Sequence, residues 1–324
     1  MKKMMMTAPL AALLASVLVT PPLPAWADEK PRLVVSRVPM KQDRILLLDA
    51  FRANQRAVAV GARGTVFVST DGGVDWKSQR TASTRTLTAV TALNDRIWLA
   101  VGHGGTILRS EDGGQTWMPV EVPEAGTDAL LGVTVLDART LVAYGAFGLF
   151  LKSTDEGRTW TRQDVVEEGF DRHIAKVIPL GEALVLVGES GTIARSTDGG
   201  ATWTKVDSPY EGSFFGGLRT ADGSALIFGM RGNVFRSTDA GRTWKNVETD
   251  TKVAFNGGRA FDDGMVVLTG NSGKLAISRD NGQTFEVKDL PGRGYANVLK
   301  RGDGELLVVG DRGITPVPAT LLAK

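Results

Sequence analysis

Residues 69–76 of this chain, Ser-Thr-Asp-Gly-Gly-Val-Asp-Trp, decide the fold because the same pattern recurs five more times. Its consensus is Ser-x-Asp-x-Gly-x-Thr-Trp, which we call the Asp motif. The leading serines of the six copies are 41, 43, 43, 41 and 41 residues apart. A nearly constant period of about 40 residues indicates a repeat architecture. The recurring acidic and aromatic residues are Asp71, Asp112, Asp155, Asp198, Asp239 and Asp280, with Trp76, Trp117, Trp160, Trp203, Trp244 and Phe285.

A second pattern, Gly-x-x-Gly, precedes each Asp motif, and we call it the Gly turn. A seventh Gly turn, at Gly310 and Gly313, has no Asp motif after it, so the chain contains seven units and the last is truncated. The six complete units begin their Gly turns at Gly61, Gly102, Gly145, Gly188, Gly229 and Gly270.

Each unit also contains four short runs of β-branched and aromatic residues. In the second unit these runs are 87–93, 96–101, 106–109 and 116–120, separated by Gly and Asp. Such runs predict antiparallel strands, and a unit of about 40 residues with four strands is typical of a propeller blade. We therefore predict an all-β fold, a seven-bladed β-propeller of four-stranded antiparallel blades.

The two ends of the repeat array predict how the ring closes. The seventh unit supplies runs at 295–300 and 305–309 and a short run at Ile314, but no fourth strand. Residues 32–36, Arg-Leu-Val-Val-Ser, precede the first unit and have no place in it. We expect this segment to complete the last blade as its outer strand, which would remove an open sheet edge.

The first 27 residues have the pattern of a cleaved signal peptide. Lys2 and Lys3 are followed by an apolar stretch at 8–19 and by Ala-Trp-Ala at 25–27. The alternative, a permanent membrane anchor, is disfavoured because a spanning helix needs about 20 residues. We expect cleavage after residue 27, a single propeller domain at 28–324, and a periplasmic or secreted protein that does not insert into a membrane.

Composition narrows the possible partners. The chain has 38 basic and 36 acidic residues, and two of the lysines lie in the signal peptide, so residues 28–324 carry no net charge. A neutral protein has little general affinity for nucleic acid, so we expect no nucleic-acid partner. Separately, we expect the protein to be a monomer. The chain contains no cysteine, so an exported form must be held together by packing.

The Asp motifs invite comparison with a calcium site, but a structural role is the better interpretation. Only one carboxylate recurs in each motif, whereas Ca²⁺ requires about six to eight oxygen ligands. We expect each Asp to accept a backbone N–H two residues further on and each Trp to pack between neighbouring sheets. The chain has only two histidines, His103 and His173, and we predict no metal and no cofactor.

Blade topology predicts a partner-binding face. Because successive strands alternate in direction, the Gly turns share one rim of the ring with the lead-in loops, the loops that precede the first strand of each blade. The Asp motifs lie on the opposite rim. Phe147 lies in a Gly turn and His173 lies in a lead-in loop, so both belong to the same rim. The residues assigned to this face are Arg63, Arg85, Arg172, Arg231, Arg293, Arg312, Phe214, Phe215 and Tyr295.

The repeat units resemble the Asp-box, or BNR-like, repeats of sialidases, sortilin-type receptors and the photosystem II stability and assembly factors. They are most similar to the last family, and the resemblance covers residues 32–318. It implies an exported seven-bladed ring with an arginine-rich face. From this and the composition of the rim, we predict a non-catalytic scaffold that binds a protein, such as a membrane protein under assembly or an envelope transport component.

The alternative function is a sialidase-like glycoside hydrolase or a glycan-binding lectin. The Phe-Arg-Ile-Pro motif of sialidases is absent, and Tyr144, Tyr210 and Tyr295 are the only tyrosines that could act as a nucleophile. Other glycosidases use two carboxylates about 5–10 Å apart. Asp49, Asp128 and Glu189 are carboxylates that we assign to exposed loops.

Deleting residues 28–38 should expose the edge of the last blade, and we expect a lower melting temperature or aggregation as a result. Thermal unfolding of the truncated and complete proteins measures this. Equal melting temperatures would place the N-terminal segment outside the ring.

Overall fold

The structure, a computed structural model, describes residues 44–323, which form seven antiparallel sheets in which the strands follow one another in chain order. The predicted signal peptide and the predicted closing strand at 32–36 lie outside the described residues. Within residues 44–323, no helix is long and apolar enough to cross a bilayer.

The first four sheets have four strands each. In chain order they comprise β1 (Leu47–Ala53), β2 (Arg56–Gly61), β3 (Thr65–Ser69) and β4 (Lys77–Arg80); β5 (Leu87–Ala92), β6 (Trp98–Gly102), β7 (Ile107–Ser110) and β8 (Met118–Pro119); β9 (Leu130–Val135), β10 (Leu141–Gly145), β11 (Phe150–Ser153) and β12 (Thr161–Arg162); β13 (Ile174–Leu180), β14 (Ala183–Gly188), β15 (Ile193–Ser196) and β16 (Thr204–Lys205).

The fifth and sixth sheets also have four strands, whereas the seventh has three in the described part of the chain. They comprise β17 (Phe214–Arg219), β18 (Ala225–Gly229), β19 (Val234–Ser237) and β20 (Lys245–Val247); β21 (Phe255–Ala260), β22 (Val266–Gly270), β23 (Lys274–Ser278) and β24 (Glu286–Asp289); β25 (Tyr295–Lys300), β26 (Leu306–Gly310) and β27 (Gly313–Pro316). The helical segments are short: 3₁₀ turns at Ala62–Gly64, Pro123–Ala125, Ala146–Gly148, Glu189–Gly191 and Met230–Gly232, and α1 at Ala319–Leu322.

The seven sheets are the blades of a ring. The first strand of each blade packs against the first strand of the next, in the series β1, β5, β9, β13, β17, β21 and β25, and β25 packs against β1. The buried apolar side chains form seven clusters, each at the interface between two neighbouring blades. The prediction of a seven-bladed propeller is confirmed.

A β-bulge interrupts the first strand of every blade at the same place. In β1, for example, Leu47 pairs with Gly61 and Asp49 pairs with Val60, which leaves Leu48 unpaired. A bulge turns the strand locally and re-aims the extra residue. The seven bulged residues are Leu48, Thr88, Leu131, Ala175, Phe215, Asn256 and Ala296.

The Asp motifs are closed hydrogen-bond networks. In the third motif, Asp155 Oδ1 accepts from the Ser153 hydroxyl at 2.8 Å and from the amides of Arg158 and Thr159 at 3.0 and 2.9 Å. Its Oδ2 accepts from the Thr159 hydroxyl at 2.7 Å. The amides lie three and four residues beyond the Asp, whereas the sequence prediction placed them two residues beyond it. These donors occupy the carboxylate oxygens, which supports the structural role.

Each motif also positions an aromatic ring between blades. The Trp160 indole donates to the carbonyl of Gly157 at 3.2 Å, and the side chain, 5% exposed, packs in the cluster that contains Leu99 and Val101 of the preceding blade. The predicted role of this aromatic position is confirmed. Trp76, Trp117 and Trp203 make the same bond to the glycine three residues before them.

Replacing Trp160 with Ala should lower the free energy of unfolding by about 3–5 kcal/mol, because the change leaves a cavity between two blades. Urea denaturation at neutral pH measures the loss. Met118, which is 68% exposed, provides the control, since its replacement with Ala should change stability by less than about 0.5 kcal/mol. A loss below about 1 kcal/mol for Trp160 would contradict the inter-blade role.

The Asp motifs should also make stability depend on pH. Partial burial raises the pKa of Asp155, but the bonds from Thr159 and Ser153 outweigh it and lower the pKa to about 2. A depressed pKa stabilises the fold above the ordinary carboxyl value of 3.8, and this stabilisation is lost as pH falls toward 2.

Replacing Asp155 with Asn should therefore destabilise the protein most at pH 7, and the difference from the unmodified chain should narrow below pH of about 4. Urea denaturation from pH 7 to pH 3 tests this. Asp164 is an exposed carboxylate without a hydrogen bond in the described chain, and its replacement with Asn should have little effect at either pH. If Asp155→Asn lowered the free energy of unfolding by the same amount at every pH, the lowered pKa assigned to Asp155 would be contradicted.

Candidate functional site

The Gly turns and the lead-in loops lie on one rim, as predicted, because backbone hydrogen bonds connect them in every blade. The second residue of each Gly turn donates its amide to a carbonyl of the lead-in loop at 2.9–3.2 Å. We call this surface the Gly-turn rim. The bonds run from Ala62 to Leu46, His103 to Thr86, Ala146 to Ala129, Glu189 to His173, Met230 to Ser213, Asn271 to Ala254, and Asp311 to Gly294.

The Asp motifs occupy the other rim, also as predicted. There the hairpin between the first two strands of a blade receives an amide bond from the Asp motif of the same blade, for example Gly113 to the Arg96 carbonyl at 2.9 Å and Glu156 to the Arg139 carbonyl at 2.9 Å. The two rims thus differ in sequence: Gly turns recur in all seven blades, and Asp motifs recur in the first six.

The six arginines assigned to the Gly-turn rim are exposed, and none forms an ion pair within residues 44–323. Arg172 makes one bond, from Nη1 to the Ser190 carbonyl at 3.4 Å. The arginines that are ion-paired in this range lie in or beside the Asp motifs or in the hairpins of the other rim. They are Arg109, Arg158, Arg236 and Arg301.

The third residue of a Gly turn has a left-handed backbone in several blades, with φ of +57° at Arg63, +52° at Phe147 and +56° at Arg231. This conformation is unfavourable for large side chains. The glycine that follows maintains the turn because it allows the turn to pack closely against the lead-in loop. At Gly64, with φ of +67°, a Cβ would come within 1.8 Å of the Ser83 carbonyl oxygen.

Exposed apolar side chains accompany these arginines. Six large apolar residues are exposed in the described chain, and four of them lie on the Gly-turn rim: Leu46, Phe147, Phe215 and Met230, at 43%, 57%, 41% and 36%. The Phe147 ring contacts the His173 ring edge to face at 5.0 Å between centroids. Phe147 and Phe215 lie on the rim to which the sequence assigns them. Leu46 and Met230 were not predicted, although their positions in a lead-in loop and a Gly turn place them there.

The structure corrects two residues of the predicted face. Phe214 and Tyr295 are each 1% exposed and belong to apolar clusters between blades. The Tyr295 hydroxyl donates to the Pro291 carbonyl at 2.9 Å, and burial raises its pKa. These two side chains pack between blades next to the rim and are not available for contact with a partner.

A channel along the axis of the ring forms a cavity of about 450 Å³, lined by the first strands of all seven blades. All seven bulged residues contribute to its wall. This cavity was not predicted from the sequence, because β-bulges leave no signal in a pattern of alternating residues.

Four charged residues from four different blades line the channel: Asp49, Lys176, Arg219 and Arg259. Asp49 lies in β1 rather than in an exposed loop, and its carboxylate accepts from the Ala50 amide, the Val90 amide and Asn297 Nδ2 at 2.8, 2.9 and 2.6 Å. Burial raises the pKa of Asp49, although these bonds and the charges of Lys176 and Arg259 oppose the shift.

The described residues offer no cluster of metal ligands, and two of the tyrosines considered as sugar nucleophiles are buried. Residues 44–323 contain no group of three or more His, Cys, Asp or Glu that could hold a metal ion. Tyr144, which is completely buried, bonds through its hydroxyl with Thr134 at 2.9 Å. Together with the burial of Tyr295, this removes two of the three tyrosines considered as nucleophiles.

The comparisons with known proteins agree with this architecture. The family model of the photosynthesis system II assembly factor YCF48 matches residues 35–168 and 127–267. The chain belongs to this family. No curated protein sequence matches it.

Solved propellers resemble the chain closely in fold and weakly in sequence. YCF48 bound to D1 peptide is 20% identical with a TM-score of 0.66, covering 84% of this chain and 92% of that one. YCF48 from Cyanidioschyzon merolae is 17% identical with a TM-score of 0.67, covering 84% and 94%. The GH74 xyloglucanase from Xanthomonas campestris is 15% identical with a TM-score of 0.65, and this chain spans 52% of it.

Proposed function

We propose that this protein is an exported, monomeric scaffold that binds a protein partner through the Gly-turn rim and assists the assembly of a membrane protein or an envelope complex. The observation that carries the proposal is the set of six exposed arginines without ion pairs, on the same rim as four exposed large apolar side chains. Arginine and aromatic residues are enriched in binding hot spots because they combine contact area with directed hydrogen bonds.

The chemistry of the rim supports a partner segment that carries both acidic and apolar groups. Guanidinium groups without carboxylate partners create a positive local potential in a protein of near-zero net charge, which attracts acidic segments. The apolar residues Leu46, Phe147, Phe215 and Met230 would contact an apolar part of the same segment. A protein partner is further supported by the YCF48 structure that contains D1 peptide.

Family membership favours an assembly function over glycoside hydrolysis. The likeness to the xyloglucanase is one of fold, because sequence identity is 15%. Turnover of chromogenic glycosides by the purified protein, abolished by a carboxylate or tyrosine substitution, would establish the enzymatic alternative instead.

Combining Arg63→Glu, Arg231→Glu and Arg312→Glu should abolish partner binding and leave the fold intact. Exposed loop positions rarely change stability by more than about 0.5 kcal/mol each, and Glu imposes the same backbone demand at residues 63 and 231 as Arg does. Crosslinking in the native cell, followed by affinity capture and mass spectrometry, compares the partner's recovery between the variant and the unmodified protein.

The matched control combines Arg139→Glu, Arg162→Glu and Arg242→Glu, which change the net charge equally. These arginines are exposed, belong to the Asp-motif rim or the outer strands, and form no ion pair in residues 44–323. The control protein should recover the partner as well as the unmodified chain does. Equal loss in both variants would show that net charge, not the Gly-turn rim, governs binding.

A further inference from the structure

The axial channel contains a charged group, Lys176, that neither the packing of the blades nor the proposed rim contact requires. Its volume of about 450 Å³ lies within the usual range for small-molecule sites, about 300–1,000 Å³. The groups of interest follow the bulges, so they lie just inside the mouth on the Gly-turn rim.

Lys176 of β13 is the channel cation that lies directly after a bulge. The residue is half-buried, lines the cavity, and its charge acts on Asp49 of the first blade from across the ring. Within residues 44–323 it forms no hydrogen bond and no ion pair. Arg259, by contrast, donates to the carbonyls of Val298 and Ala50 at 3.1 and 3.0 Å. An ammonium group in a confined channel is stabilised by an anion that enters beside it.

The wall that faces Lys176 offers hydrogen-bond acceptors. Asp49 Oδ2 accepts only the Val90 amide among the described residues, so it retains capacity for a second donor. Asn256 donates through Nδ2 to Asn271 Oδ1 at 2.8 Å and to the Tyr295 carbonyl at 3.3 Å, which leaves its own Oδ1 without a donor in residues 44–323. Acceptors on this wall suit hydroxyl groups.

The charges of the channel favour a ligand with one negative charge. Near the bulges, Lys176 and Arg259 carry two positive charges and Asp49 carries one negative charge, which leaves an excess of one positive charge there. The fourth charged lining residue, Arg219, is the exposed last residue of β17 and lies away from the bulges. Asp49 would also repel the second negative charge of a phosphate ester. The bulged residues Leu131 and Phe215 add apolar surface at the mouth for the carbon skeleton of a ligand.

We propose that the channel binds a small hydroxylated monocarboxylate of the sugar-acid class, with its carboxylate on Lys176 and its hydroxyls on Asp49 and Asn256. This site is separate from the arginines of the rim and does not depend on the identity of the protein partner. The proposed function and the channel site can therefore fail independently.

Titration calorimetry and saturation-transfer NMR on the full-length chain test the proposal with gluconate as the probe. Sorbitol, the neutral polyol of the same length, should bind about 10- to 100-fold more weakly, the usual effect of losing a charge-assisted hydrogen bond. Lys176→Met should cause a loss of similar size for gluconate, and Lys176→Arg should retain most of the affinity.

Lys245→Met is the matched control, because Lys245 is exposed on the outer strand β20 and lies outside the channel. It should bind gluconate as the unmodified chain does. Should Lys176→Met fail to fold, as judged by its melting curve, the sorbitol comparison and Lys176→Arg decide the question. Absence of gluconate binding, equal binding of sorbitol, or full affinity in a folded Lys176→Met protein would overturn the proposal.

Discussion

One constraint underlies the whole ring: a single carboxylate fixes the turn that carries the indole between two blades. In the third blade Asp155 accepts hydrogen bonds from Ser153 and Thr159, and the same turn presents the Gly157 carbonyl that anchors Trp160. A network confined to eight residues thus sets the position of a large apolar group at an interface between sheets. Repeating it in six blades gives equivalent interfaces in a chain that has no cysteine.

In this arrangement the side chains of the Asp-motif rim are needed for folding, whereas the Gly-turn rim is held by backbone hydrogen bonds. The Gly-turn rim is held by amide-to-carbonyl bonds, such as Ala146 to Ala129 and Met230 to Ser213, that involve no side chain. The side chains of these turns are therefore free to vary as long as the backbone retains its shape. Exposed arginines and apolar residues accumulate here because the fold does not need their side chains for its own hydrogen bonds.

The sequence predicted the number of blades, the two rims and the role of the aromatic positions, because all three follow from the spacing of the motifs. It failed where the first strand of a blade departs from regular alternation. Phe214 and Phe215 are adjacent and chemically identical, yet Phe214 is buried between blades, whereas Phe215, the bulged residue, is exposed. The same irregularity places Asp49 in the channel wall, although its acidic side chain suggested a solvated loop.

Residues 44–323 already provide many of the contacts that join the last blade to the first. The apolar part of this junction is a cluster that contains Leu47, Phe67 and Leu307, from both ends of the ring. Its polar part is Arg259, whose guanidinium in the sixth blade donates to carbonyls of the seventh and the first, while burial lowers its pKa and Asp49 opposes that shift. Because a buried guanidinium without partners would be strongly destabilising, separating the first blade from the last would break these bonds together with the apolar contacts. An N-terminal strand added to the seventh blade would reinforce a junction that side chains from three blades already hold.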